Sequence, residues 1–203
     1  RQDKLKLQDD VALDFIFTWS PAAAQCIETT GAEIDAYTDK ATGKRKGICK
    51  ADVLGLMTKF NNDDIPQEGR YLLLAAQMFS QLLNSMTENE NTAFLASADA
   101  QNGILGKLFS FNIMMRSRAA LYTAAKAPKT WSTAGAATDL AAGLAWHEQS
   151  VCRALGEVKA FENEGDATYY GDIYSFLVRA GGRIMREDKK GVIALVQGTP
   201  AAG

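Results

Sequence analysis

The chain has 203 residues, 47% of them hydrophobic and 23% charged. That size and composition fit one globular domain or two small ones and exclude intrinsic disorder. Lys and Arg number 22 against 24 Asp and Glu, a net charge of -2, which excludes a protein steered onto nucleic acid by bulk positive charge.

Residues 3–19 carry a helical period. Leu7, Val11 and Phe15 recur every four residues, and Ala12, Ile16 and Trp19 widen the same face. Asp3 suits an N-cap, and Ser20-Pro21 stops the helix because proline restricts the residue before it. Residues 20–47 are polar and punctuated by glycine, the composition of a long loop. Val53, Leu56, Met57 and Phe60 predict a helix over 50–61, and the run Asn62-Asp63-Asp64-Ile65-Pro66-Gln67-Glu68-Gly69 is a dense turn signal. A short apolar strand over 70–74 and a helix over 75–83 follow. Beyond a polar stretch, residues 103–108 lead into a strand over 109–115. Residues 124–138, rich in Ala, Thr, Gly and Lys, form a second predicted loop. The remainder predicts a buried strand over 140–147, a short helix over 149–155 and a short strand over 158–161. A long strand over 173–186, interrupted at Gly181-Gly182, then turns at 188–191 into a last strand over 192–196. Helices and strands are mixed rather than alternating, which makes the fold class α+β.

No group of residues forms a catalytic, cofactor-binding or metal-binding pattern. Cys26, Cys49 and Cys152 stand far apart without zinc or disulfide-framework spacing. His147 is the single histidine and reads as a packed side chain at a strand end rather than as the partner of Cys152. Asp9, Asp10 and Asp14 read as a solvated helix face, and Asp63-Asp64 as turn residues. Gly43-Lys44 lacks the first glycine and the Ser/Thr of a phosphate loop, while Gly103/Gly106 and Gly181/Gly182 are too sparse for a dinucleotide fingerprint. Lys44-Arg45-Lys46, Arg116/Arg118 and Lys126/Lys129 are basic loop clusters. Trp19, Trp131 and Trp146 are scattered along the chain. No apolar run reaches the length of a membrane-spanning helix.

The order of segments adds a resemblance. Asn61-Asn62-Asp63-Asp64-Ile65-Pro66-Gln67-Glu68-Gly69-Arg70 with the strand and helix after it, Gly103-Ile104-Leu105-Gly106-Lys107-Leu108-Phe109-Ser110-Phe111, Gly143-Leu144-Ala145-Trp146-His147 and the pair of C-terminal strands resemble, in that order, segments of tailed-bacteriophage major capsid proteins with the Hong Kong 97-type fold. Ser110 stands where that family usually has glycine. The loops over 20–47 and 117–138 show no match.

The resemblance implies a long spine helix at 3–19, a peripheral-type domain over 1–49 and 161–203, and an axial-type domain over 50–160. It implies a structural major capsid protein of a tailed phage or prophage, without enzymatic activity or cofactor. Its main partner would be itself, in the pentamers and hexamers of an icosahedral shell, with non-specific contact to packaged DNA. The expected location is the virion, after assembly in the bacterial host cytoplasm. It further implies that an N-terminal arm and extended loop precede Arg1 in the parent protein, and that the loops 20–47 and 117–138 touch neighbouring subunits. An encapsulin-like compartment shell, a small α+β enzyme and a nucleic-acid-binding module are the alternatives that the residues leave open.

Overall fold

In the computed structural model, residues 2–166, 168 and 170–200 are described; Arg1 lies outside them. Helix α1 (Gln2–Trp19) begins one residue before the predicted cap, so Asp3 lies inside it. Leu13 and Ile16 are its buried residues, with Leu7, Val11, Ala12, Phe15 and Trp19 half-buried around them. The stretch after it is not a structureless loop. It contains a one-turn 3-10 helix (Ala23–Gln25), strand β1 (Cys26–Glu28) and a small antiparallel hairpin of β2 (Glu33–Asp35) and β3 (Lys44–Lys46). Helix α2 (Lys50–Asn62) follows, capped where the Asp52 carboxylate accepts from the Cys49 N–H at 2.8 Å. The same carboxylate accepts from the Thr30 N–H and hydroxyl, which ties the preceding segment to the helix start.

Strand β4 (Arg70–Ala75) runs straight into α3 (Ala76–Asn84). The polar stretch beyond it holds a helix that hydrophobic periodicity misses, α4 (Glu88–Ala96). Strands β5 (Gly106–Leu108) and β6 (Phe111–Arg116) make a tight hairpin, and β7 (Ala120–Tyr122) and β8 (Pro128–Lys129) a second within the predicted loop. After β9 (Leu140–His147) comes a 3-10 turn (Glu148–Ser150), not the predicted helix. From there β10 (Val151–Asp166) and β11 (Gly171–Ile184) form one long antiparallel hairpin, and β12 (Val192–Val196) ends the ordered pattern.

Eight of the described strands form one sheet, with β1-β12-β9-β4-β6-β5 in order and β7, carrying β8, beside β9. The central strands β4, β9 and β12 are buried almost throughout. Their near-continuous apolar runs are what a strand covered on both faces requires. Met78 and Leu82 of α3 and Val53, Leu56 and Phe60 of α2 join this core. The β10–β11 hairpin is separate from the sheet and rests against α1.

Candidate assembly surfaces

In an antiparallel pair, residues directly opposite each other point to the same side. The register Val151↔Ile184, Leu155↔Ala180, Val158↔Val178, Ala160↔Phe176 and Glu162↔Tyr174 therefore defines one face of the long hairpin. Its base, from Val178 to Ile184, is partly covered. The cover there is α1, which comes so close that a Cβ on Gly182 would lie 2.6 Å from Thr18 Oγ1 and 2.9 Å from Trp19 Nε1. Trp19 Nε1 donates to the Cys152 carbonyl at 3.0 Å, and rings run on from Phe15 through Trp19 and Trp146 to Tyr71 with centroids 5.7–5.9 Å apart. Two of the three tryptophans that look scattered in sequence are thus neighbours, because α1 and β9 end at the same place.

Beyond α1 the hairpin loses its cover. Leu155, Val158, Tyr174 and Phe176 on this face are 56–63% exposed, and Phe161 and Leu177 are exposed on the other. A two-stranded hairpin is marginal by itself, and a contiguous apolar surface of this kind marks an interaction site. Sequence reasoning missed this surface. The signal is present, since Val158, Phe161, Tyr174, Phe176 and Leu177 fall within 20 residues, but a β-bulge between Leu155 and Val158 breaks the alternation that would reveal a strand.

The two expected contact loops bind each other instead of standing free. The Thr42 N–H and Arg45 Nη2 both donate to the Ala137 carbonyl at 3.1 Å, and Thr38 Oγ1 donates to the Asp139 carbonyl. Gly135 lies so close to Asp39 that a Cβ would be 2.3 Å from its carbonyl oxygen. Beneath them Lys129 and Asp139 form an ion pair at 2.5 Å, with side chains 10% and 3% exposed.

The other singled-out residues serve the fold. His147 is buried, and its Nδ1 accepts from the Gln149 N–H at 3.2 Å. Asp63 lies near Lys59 and Lys190, and Gly43 takes a left-handed φ of 84° in the β2–β3 turn. Of the basic clusters, Lys44 pairs with Asp35, Arg116 with Asp9 and Lys126 with Glu28, while Arg45 is buried and Arg118 stacks over Trp131 at 5.8 Å. Each of these five cations is engaged with a group of its own within the chain. Burial pushes the Cys26 thiol up to about 11, so it stays protonated near neutral pH. Among the described residues no group of three or more His, Cys, Asp or Glu could hold a metal ion, and no helix is long and apolar enough to cross a membrane.

No protein-family model matches the sequence, and no curated protein matches it. Solved structures do match, over nearly the whole chain. A chain of Mycobacterium phage Che8 aligns with 93% of this one at 16% identity and a TM-score of 0.53. The capsid of Ralstonia phage GP4 aligns with 97% at 14% identity and 0.58, and the capsid of cyanophage P-SCSP1u with 93% at 15% identity and 0.51. The protein has a phage capsid fold. At these identities the likeness concerns the fold alone, and the chain spans 57%, 64% and 61% of the three matched chains. Within this capsid fold, the outer part of the long hairpin carries exposed apolar side chains on both faces.

Proposed function

We propose that this chain is a structural coat subunit of a tailed phage or prophage, which self-assembles into an icosahedral shell around DNA. The observation that carries the reading is the uncovered apolar hairpin on a subunit whose fold matches phage capsid chains. Burying such a surface by association is the ordinary resolution of its cost, and head-to-tail contacts between identical subunits close into rings. The reading takes the Hong Kong 97 type as its model, with α1 as spine helix and β10–β11 as the peripheral arm. The simple cut at 49/50 and 160/161 is refined in it: β1 and β12 count with the axial part, because β12 is hydrogen-bonded to β9 and β1 to β12. Its role is structural rather than catalytic. Contact with DNA is non-specific, in keeping with a net charge near zero, and the location is the virion after assembly in the host cytoplasm.

Electron microscopy of the full protein tests this. Closed shells, or rings of five or six, are the expected result. A double variant, Val158→Asp with Phe176→Asp, should remain a folded monomer by circular dichroism and give no particles. A wild-type protein that stays monomeric at high concentration, or a double variant that assembles normally, overturns the reading.

A further inference from the structure

Phe109 carries a conformation that its own fold does not require of a phenylalanine. It is the first of two residues joining β5 to β6, with a φ of 53°. That position favours glycine, and a bulky side chain there is strained. The strain is held in place from inside. Arg70, fully buried, donates from Nη1 to the hydroxyl of the neighbouring Ser110 at 2.8 Å. The ring is not stored in the core for this effort. Phe109 and, beside it on α2, Leu54 are 42% and 43% exposed. Strain that displays an apolar ring to solvent points to a use outside the subunit.

A complementary surface lies elsewhere on the same molecule. A groove of about 410 Å³ runs between α1 and the segment around Trp131, with Leu13, Phe17 and Trp131 offering apolar walls and Asp10 and Asp14 exposed at its side. The indole is fixed, since Trp131 Nε1 donates to the Ala119 carbonyl at 2.7 Å. Arg118, the one cation lining the groove, is stacked on that indole, so the two carboxylates outnumber it. Beside the knob the sign is reversed at Lys107, which precedes Phe109 by two residues and is exposed.

The two surfaces cannot meet within one subunit. Phe109 precedes β6, whereas Arg116 ends that strand and pairs with Asp9 of α1. Six residues of strand separate the two ends by about 20 Å. Resting on the coat-subunit reading above, we propose that Phe109 of one subunit inserts into the α1–Trp131 groove of a second copy of this chain, with Lys107 facing Asp14. A knob at one end and its groove at the other make a heterologous contact, the kind that propagates into rings.

Sedimentation velocity of the full protein over a range of concentrations tests the contact. Phe109→Gly should melt no lower than wild type, because glycine relieves the left-handed strain, yet associate roughly 10- to 100-fold more weakly. Asp14→Lys and Lys107→Glu should each weaken association, and the two together should restore a large part of it. Unchanged association in Phe109→Gly, or a charge exchange that restores nothing, overturns the inference. If Phe109→Gly assembles while the hairpin double variant does not, the coat reading stands and this contact falls; a wild-type monomer at every concentration removes both.

Discussion

Arg70 shows how a single side chain can organise a turn. Its guanidinium donates from Nε to the Pro66 carbonyl at 2.7 Å, from Nη2 to Asn61 Oδ1 at 2.8 Å and to the Ile65 carbonyl, and from Nη1 to Ser110. The rings of Phe60 and Phe111 lie 5.3 and 5.9 Å from it. Burial lowers its pKa from the ordinary arginine value, but the residue stays charged. The charge is offset by carbonyl, amide and hydroxyl oxygens, which explains why the motif from Asn61 to Arg70 holds together: the residues at its two ends bond each other. Lysine offers a point charge that cannot span this fork. Arg70→Lys, and more so Arg70→Met, should cost about 2–4 kcal/mol, by leaving buried acceptors without donors. Urea unfolding of the purified variants measures it, and a loss below about 1 kcal/mol would show that water replaces the guanidinium.

At the scale of elements, legibility in the sequence follows burial. The strands β4, β9 and β12 are readable because both their faces are covered, which leaves uninterrupted apolar runs. The hairpin's sequence has the pattern of a helix and two separate strands, because both its faces carry apolar and polar residues and a bulge shifts the phase. Helix α4 escaped for a different reason: only Phe94 is buried, so no apolar stripe exists. Its signal is local. Thr87 and Glu90 form a capping box, and Glu90 also pairs with Lys50 at the start of α2. Together these bonds, Lys50 first, hold the Glu90 carboxyl at about 2, below the usual value near 4.5. A depressed carboxyl pKa contributes stability that is present above the unfolded value and lost as pH falls through the folded one. The stabilising effect of Glu90 should thus be complete at neutral pH and fade between about 4.5 and about 2. Melting curves of wild type and Glu90→Gln should differ at pH 7 and converge near pH 2. A difference that does not change with pH would mean the contact is not ionic.

Across the whole molecule, what the sequence could not convey is which distant segments pair. Residues 26–28 lie beside 192–196 in the sheet, and the two loops that look like free contact surfaces are fastened to each other. These pairings join residues 92 to 168 positions apart, where no local pattern carries information. The position most sensitive for overall shape is Gly182, where α1 touches the long hairpin. A Cβ there would sit 2.6–3.0 Å from Thr18, Trp19 and Phe15 at once, and those atoms belong to a helix end already fixed by the Cys152 carbonyl and the Trp146 ring. Gly182→Val should therefore push α1 off the hairpin rather than be absorbed locally, at a cost of about 1–3 kcal/mol. The central sheet does not pass through this contact and should keep its strand signal in circular dichroism. The emission of Trp19 should shift to the red as its indole meets water. On the coat-subunit reading, assembly should fail by more than stability does, because the apolar faces of the hairpin would then point in a direction no neighbouring subunit can match. A Gly182→Val protein that forms normal particles would show that the hairpin is oriented by its neighbours in the shell and not by α1.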